Sequence, residues 1–401
     1  MKNFEHVQYS NESIGQTEIR RSIINNAALF LAMFFIFSIP WGNAVWDGLT
    51  RIFGFVAIGF TGLALITHGT RSKLNIFHLF VALFGAWLML SLMWSPDLVW
   101  GKKLLTTTTQ LLIIAYLITL ILDTKFKMLQ MYQSYVLGNL VGSGIIIYNY
   151  LNGIQSIYYQ RYAIPTLDID GQSIMLTLAL PMAAYLATQF KSKIFKIINI
   201  LAIPTIMFAV FLTGTRTASI VAIIGIAYWL FTYRNSSFRI KSTFVVLFAI
   251  SIIAVLTFTP KMSIDRILSS GESISSGTLN NRTVIWAASI EQWKQAPLVG
   301  NGIGSLGYVL STKHVEYDSA HNTYIHILTE NGIIGLSIYL MMIFSIIYYS
   351  LHTPLPEKAF LISLLMIILV SQITQHTHFH KETWFALTML AIHAHLESKR
   401  A

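Results

Sequence analysis

Charge is almost absent from twelve long apolar segments of this chain. The 401 residues include 27 Lys and Arg and 17 Asp and Glu, and all of them except Lys196, at the edge of the seventh segment, lie outside those segments. Segments of this kind suit a hydrocarbon layer of roughly 30 Å. Only 11% of the residues are charged and 54% are hydrophobic, whereas an ordinary soluble domain has about 25% charged residues. The sequence therefore predicts an all-α integral membrane protein.

The apolar segments divide the chain into five predicted regions. These are a cytoplasmic tail at 1–22, spans one to nine within 23–259, a long outer loop at 260–332, spans ten to twelve within 333–396, and a tail at 397–401. The predicted spans fall at 23–40, 52–67, 76–95, 104–122, 128–149, 171–190, 194–212, 217–233, 242–259, 333–351, 359–375 and 383–396.

The distribution of Lys and Arg predicts which ends of the spans face the cytoplasm. Short cytoplasmic loops are enriched in these residues, and with the N-terminus inside the same face receives sixteen of the 27. They are Lys2, Arg20, Arg21, Arg71, Lys73, Lys125, Lys127, Lys191, Lys193, Lys196, Arg234, Arg239, Lys241, Lys358, Lys399 and Arg400. Both termini are therefore predicted to be cytoplasmic, with the 260–332 loop on the outer face.

Composition excludes several kinds of chemistry. The chain has no cysteine, so disulfides, thiol catalysis and Cys-ligated metals are excluded. Its formal charge of +10 is assigned to cytoplasmic loops that face anionic membrane lipids rather than to nucleic-acid binding. Apart from Lys196, at the cytoplasmic edge of the seventh span, the predicted spans contain no Asp, Glu, Lys or Arg. Carriers of charged cargo usually place such residues at mid-membrane. Catalysis or binding is therefore expected at the outer ends of the helices.

Two arginines stand at predicted helix starts on the outer face. Arg216 lies in LTGTRTASI between the seventh and eighth spans, and Arg282 begins an amphipathic stretch that ends before Pro297. A cation at a helix N-terminus opposes the helix dipole, so helix stability does not explain these positions. One interpretation is an anion site, because guanidinium groups bind diphosphate in a bidentate manner. The alternative is a pair of interfacial arginines that reach into solvent.

His321 is the predicted proton acceptor of the outer face. Asp318 or Ser319 is expected to cap a helix that starts near His321. A helix N-terminus and nearby arginines disfavour imidazolium, which leaves a neutral ring able to act as a base. A histidine that is merely hydrogen-bonded in the loop is the alternative. His326 and His314 lie nearby but lack the capped setting.

Three further patterns on the outer face have competing interpretations. GNGIGSLG at 300–307 resembles a nucleotide-binding loop but lacks a surrounding βαβ unit, so it predicts a flexible turn. Asp168 and Asp170 form an acidic pair of the kind that holds a divalent metal, although a polar loop is the alternative. His376, His378 and His380 alternate in a short turn, as ligands of a transition metal can. No metal or other cofactor is predicted.

The motifs TGTR at 213–216, NNR before Ile285 and Trp286, GNGIGS, and AHNTYIHILTENGIIG resemble the O-antigen ligase and O-antigen polymerase superfamily. The similarity is specific from about Thr213 to Tyr339. It implies a GT-C-like, metal-independent, inverting glycosyltransferase in the bacterial inner membrane, with its active site facing the periplasm. It also implies a glycan donor linked to undecaprenyl diphosphate.

The resemblance assigns roles to individual residues. Arg216 and Arg282 match the family's arginines that engage the donor diphosphate, and His321 matches the histidine taken to activate the acceptor hydroxyl. Asn322 of the same His-Asn segment is placed with the substrate-binding residues. Arg161 is added because it lies in an outer loop beside several tyrosines, and the resemblance itself does not indicate it.

The acceptor is predicted to be lipid A-core, which would make the chain an O-antigen ligase. This choice depends on the absence of an extended outer domain after the last predicted span, since many protein O-oligosaccharyltransferases have one. The next candidate is a polymerase that extends the same lipid-linked glycan, and the third candidate is a pilin- or protein-directed transferase. A transporter or flippase would also be polytopic and basic, but the uncharged spans argue against it.

Overall fold

The computed structural model describes the chain in seven stretches, with a few isolated positions between 249 and 265. The stretches are 23–46, 48–68, 74–156, 161–165, 167–234, 282–312 and 319–399. Within these stretches the regular structure is helical and contains no strand. The tail at 1–22 and most of the predicted ninth span lie outside the described residues, as do Asn280, Asn281, His314 and Asp318.

Thirteen helices, numbered here in chain order, are described. They are α1 (Ile23–Ser38), α2 (Leu49–His68), α3 (Ile76–Ser91), α4 (Leu98–Ile121), α5 (Lys125–Leu151), α6 (Ile169–Gln189), α7 (Lys193–Leu212), α8 (Arg216–Tyr233), α9 (Arg282–Trp293), α10 (Leu306–Thr312), α11 (Thr323–Leu351), α12 (Glu357–Thr374) and α13 (Lys381–Ser398). Short helical turns occur at Gly42–Val45, Leu92–Trp94 and Thr377–Phe379.

Eight of the described helices are long and apolar enough to cross a membrane, namely α2, α3, α4, α6, α7, α8, α11 and α12. α1 is a shorter apolar helix, and α5 and α13 lie where the fifth and twelfth spans are predicted. The all-helical membrane architecture is therefore confirmed. The total of twelve spans and the side on which the long loop lies stay predictions.

Polar side chains at the helix starts explain several of these boundaries. Asn75, Asp97, Thr124 and Asp168 each accept a hydrogen bond from the first turn of α3, α4, α5 and α6, respectively. Such caps satisfy backbone N–H groups that have no partner within the helix. The capped ends of α4 and α6 contribute residues to the same cavity, described below.

α6 is the central helix of the described bundle. The hydrophobic window that qualifies it as a span is 94% buried, far more than in any other candidate span of the described residues. It packs against α5, α7, α8 and α12, and its side chains are small or apolar over most of its length. Because α6 is fixed on several sides, the residues at its start have little freedom to move.

α11 is divided by the break that Asn331 and Gly332 predict. Gly332 has φ 66°, a conformation that glycine adopts without steric cost. The break is filled by the preceding loop, since Pro297 O accepts a hydrogen bond from Ile333 N at 2.9 Å. A side chain at Gly332 would come within 2.2 Å of the Leu298 carbonyl oxygen. The kink and the loop therefore form one packed unit.

The glycine-rich segment at 300–307 is tightly packed, which corrects the prediction of a flexible turn. Asn301 N and Gly302 N donate to the carbonyls of Thr329 and Glu330 at 3.0 and 2.7 Å. A Cβ atom at Gly302 would lie 2.6 Å from Ser95 Cα, and one at Gly304 would lie 2.6 Å from Gly101 N. The glycines allow this loop to approach the start of α4 at backbone distance, and the part of the chain that the structure describes contains no strand that could form a βαβ unit around it.

Candidate active site

A second arginine stabilises the turn that presents Arg216. Arg161 is buried, and its guanidinium donates to the Thr213 carbonyl, to Thr215 Oγ1 and, at 2.9 Å, to Asp170 Oδ1. Thr215 Oγ1 also donates to Asp170 at 3.1 Å. Arg161 thus has an internal role that the sequence did not indicate, because it fixes the TGTR turn between α7 and α8 against the start of α6.

Arg282 and Arg216 lie close enough to influence each other electrostatically. Burial lowers the pKa of the Arg282 guanidinium, the charge of Asp170 opposes this effect, and the charge of Arg216 lowers the pKa further. Arg282 begins α9, and Arg216 begins α8. Two helix starts that are far apart in sequence therefore bring two arginines close together, and one of them, Arg282, also lies within electrostatic range of Asp170. Both arginines are partly exposed.

His321 precedes the helix instead of belonging to it. Asn322 is the N-cap of α11, and its Oδ1 accepts hydrogen bonds from Tyr324 N and Ile325 N, both at 3.0 Å. Ser319 Oγ instead accepts from His321 N at 3.2 Å. The predicted cap at Asp318 or Ser319 is thus corrected to Asn322, and the structure gives Asn322 a structural function. His321 has φ 44°, a sparsely populated conformation for a non-glycine residue.

A cavity of about 620 Å³ opens beside His321. Its apolar wall includes Trp100, Leu104, Pro165, Leu167 and Phe379. The polar side chains that line it are Ser156, Arg161, Asp168, Asp170, Ser319, His321, His326, His376 and His380. A volume of this size suits a small-molecule group such as one or two sugar rings. Arg216 and Arg282 are not part of the lining, but Asp170 and Arg161 connect the cavity to the turn before Arg216.

Histidines from two separate segments meet at this cavity. The ring centroids of His321 and His376 are 5.7 Å apart, and those of His326 and His376 are 5.9 Å apart. The segments are joined by Thr323, whose Oγ1 donates to Gln375 O at 2.8 Å and accepts from Thr377 N at 3.0 Å. The alternating histidines were considered only as metal ligands from the sequence. The structure instead places His376 and His380 on the cavity wall.

Neither acidic nor histidine residues assemble into a metal-binding group in the part of the chain that the structure describes. Asp168 caps α6 through a 2.6 Å hydrogen bond from Gly171 N, and Asp170 pairs with Arg161. Burial raises the pKa of Asp168, and the nearby charge of Asp170 raises it further. The Asp-x-Asp pair therefore has two distinct structural functions.

Burial decides the charge of two histidines in the 376–380 turn. It lowers the pKa of His376 well below the ordinary value, and His380, His326 and His321 lower it further. His378 is fully enclosed, and burial likewise holds its pKa well below the ordinary range. Both rings are therefore neutral near pH 7. His380 differs, as described below, because a carboxylate contacts it.

Comparison with known proteins places this geometry in a family context. Residues 197–340 match the family model described as O-Antigen ligase. The chain is also 26% identical, over 259 residues, to the General O-oligosaccharyltransferase of Acinetobacter baylyi (strain ATCC 33305 / BD413 / ADP1). That match takes in 61% of this chain and 44% of the relative, so the chain spans less than half of the relative's length. Together the two matches confirm the similarity to the O-antigen ligase superfamily that the sequence motifs predict, and the several apolar helices agree with a multi-pass membrane protein.

Proposed function

We propose that the protein is a glycosyltransferase that moves a glycan from a lipid-linked diphosphate donor to an acceptor hydroxyl. The observation that supports this proposal most directly is the convergence of three separate segments. Arg282 lies within electrostatic range of both Arg216 and Asp170, and His321 lines the adjoining cavity together with Asp170. Arg216, Arg282 and His321 all fall within the segment matched by the O-Antigen ligase model.

The chemistry divides between the two kinds of side chain. Arg216 and Arg282 would stabilise the negative charge that grows on the diphosphate as it leaves, which replaces both a metal ion and a general acid. His321 would accept the proton of the acceptor hydroxyl while its oxygen bonds to the anomeric carbon. The bond between that carbon and the phosphate oxygen breaks in the same step. A single displacement of this kind inverts the anomeric configuration.

The donor and location in this proposal follow the family resemblance. The donor would be a glycan on undecaprenyl diphosphate, and the reaction would occur at the periplasmic face of the inner membrane. For the acceptor we propose lipid A-core, which corresponds to an O-antigen ligase. A protein acceptor is the second candidate, because the Acinetobacter baylyi relative is named as a general O-oligosaccharyltransferase. Extension of the lipid-linked glycan itself is the third.

One reconstitution separates these acceptors. Purified protein in detergent is incubated with lipid-linked oligosaccharide in three parallel reactions. One contains lipid A-core, one contains a pilin-type protein, and one contains no added acceptor. Products are resolved by gel and identified by mass. Glycosylated lipid A-core supports the ligase, a glycosylated protein supports the protein transferase, and longer lipid-linked glycans without acceptor support the polymerase. Loss of donor without any glycosylated product, or no reaction in all arms, would contradict the transferase proposal.

A further inference from the structure

A carboxylate holds His380 in a fixed orientation at the cavity wall. His380 Nδ1 lies 3.0 Å from Glu382 Oε1, and the Glu382 side chain is only 2% exposed. A histidine that donates its Nδ1–H to a carboxylate keeps its Nε2 lone pair available for a proton. His380 retains 22% exposure and lines the cavity. This His–Glu pair has no part in the two-arginine, one-histidine mechanism above.

Three imidazole rings follow one another along the cavity wall. The centroids of His321 and His376 are 5.7 Å apart, and those of His376 and His380 are also 5.7 Å apart. Both pairs meet edge to face, at 80° and 78°. All three residues line the cavity, so one water molecule can bridge each pair within ordinary hydrogen-bond lengths. The row ends at Glu382.

The middle ring and the last ring of the row differ in their charge environment. The charges that act on His376 are those of the other histidines, His380, His326 and His321. Around His380, burial alone would lower its pKa, but the charge and hydrogen bond of Glu382 and the charge of Asp168 raise it above the ordinary value. Lys381 acts in the opposite direction. Asp168 approaches from the start of α6, where Gly171 leaves room for the His380 ring, since a Cβ there would lie 3.0 Å from His380 Cε1.

We propose that His376 and His380, with Glu382, form a relay that carries the acceptor's proton away from His321. This inference rests on the proposed function. The proton that leaves the acceptor oxygen binds His321. His376 takes up a proton from His321 at one ring nitrogen and releases its own proton from the other ring nitrogen to His380. His380 then becomes an imidazolium that is paired with Glu382. The electron pair of the broken glycosidic bond stays on the departing diphosphate. Solvent in the cavity then removes the proton from His380.

Chemical rescue tests whether His380 moves a proton or only supports the turn. His380→Ala should lower the single-turnover transfer rate by about 10-fold or more while donor affinity stays unchanged. Added imidazole should restore much of the rate, because it can occupy the space left by the ring. The matched control is His352→Ala, an exposed histidine at the opposite end of α11, which should neither slow transfer nor respond to imidazole. A slow His380→Ala enzyme that keeps its donor affinity but ignores imidazole would contradict the relay.

An isosteric change tests the carboxylate without removing packing. The relay accepts a proton only while His380 is neutral, so transfer should fall as the pH drops through the raised pKa of His380. Glu382→Gln removes the charge that raises this pKa, so the acidic limb of the pH profile should move to lower pH. A purely structural Glu382 would change the rate without moving the limb. That result would overturn the proposal even if His380→Ala failed to fold.

The same variants separate failure of the relay from failure of the proposed function. If His321→Ala abolishes transfer while His376→Gln and His380→Ala work at the wild-type rate, the base assignment stands and the relay is wrong. If His321→Ala transfers normally, the proposed mechanism itself is wrong. A larger solvent deuterium isotope effect in the wild-type enzyme than in His376→Gln would support proton transfer through His376, and equal isotope effects would contradict it.

Discussion

The arginine side and the histidine side of the candidate site hold their ionisable groups by opposite means. On the arginine side, the buried Arg161 has a carboxylate, a hydroxyl and a carbonyl as partners. On the histidine side, His376 and His378 are kept neutral by burial, and no side-chain hydrogen bond is described for the ring nitrogens of His378. The first arrangement keeps charge in place on Arg161, and the second prevents charge from forming on His376 and His378.

This difference shows how one site could meet the two electrostatic requirements of the proposed reaction. A diphosphate leaving group needs fixed positive charge, which preorganised guanidinium groups supply without rearrangement. Proton removal needs neutral bases, which must not already be protonated near pH 7. Asp170 and Asp168 lie two residues apart at the start of α6 and face the two sides, since Asp170 pairs with Arg161 and Asp168 raises the pKa of His380.

The largest effect is expected at the base. His321→Ala should lower the rate of transfer by about 10² or more, because a positioned general base contributes typically 10²- to 10⁴-fold. Donor binding should remain nearly intact, since the arginines are untouched. Single-turnover rates and donor affinity of the folded variant would measure both. Near-normal transfer would shift the base assignment to His326, which also lines the cavity.

Two matched substitutions at the start of α6 distinguish the ion pair with Arg161 from the capping of the helix. Asp170→Asn removes the charge partner of Arg161, and loss of a charged hydrogen bond should lower the free energy of unfolding by about 1–3 kcal/mol. Asp168→Asn should change it by less than about 0.5 kcal/mol, because asparagine caps helices as well as aspartate does. Thermal unfolding in detergent would compare them. Equal losses would mean that Asp170 has no special supporting function.

Lysine substitutions sharpen the assignment of the diphosphate site. Arg216→Lys and Arg282→Lys should each weaken donor binding and turnover by about 10-fold, because lysine keeps the charge but loses the bidentate contact. Arg216→Ala and Arg282→Ala should be weaker still. The control is Arg234→Lys, at the exposed opposite end of α8, which should bind donor like the wild-type protein. Full activity of both lysine variants would favour interfacial arginines over a bidentate site.

The smallest effect is expected from chelation. EDTA should leave the transfer rate unchanged, because two arginines supply the charge that a divalent ion would otherwise provide. The measurement is the initial rate after dialysis against EDTA, with and without added Mg²⁺ or Mn²⁺. A loss of activity that either ion restores would return the Asp168 and Asp170 pair to consideration as a metal site.

Helix positions were largely predictable because hydrophobicity along the sequence determines them. The predicted spans at 76–95 and 194–212 correspond to α3 followed by its short helical turn, and to α7. The break at Gly332 was predictable from a local signal, Asn before Gly. The cap of α11 was not, because Ser319, Asn322 and Asp318 are all suitable cap residues and only the backbone at His321 decides among them.

The composition of the site was only half predictable. Arg216, Arg282 and His321 stand at helix starts where a local argument applies. His376 and His380 lie more than 50 residues after His321 in the sequence, and long-range contacts such as the hydrogen bonds of Thr323 bring the two segments together. Arg161 was selected because it lies beside several tyrosines in the sequence, whereas the contacts described for its guanidinium are with the TGTR turn and Asp170. The alternating histidines were the one available signal for the cavity wall.

The docking of the glycine-rich loop has a consequence for biogenesis. Gly302 and Gly304 contact Ser95 and Gly101, and Trp87 Nε1 donates to Asn331 O at 2.9 Å. Residues near position 95 leave the ribosome long before residues near position 300. The contacts of the early helices α3 and α4 with this loop can therefore form only late in synthesis. Until that loop arrives, neither His321 nor the cavity exists in its final form. A nascent chain that has inserted most of its helices therefore still lacks the complete candidate site.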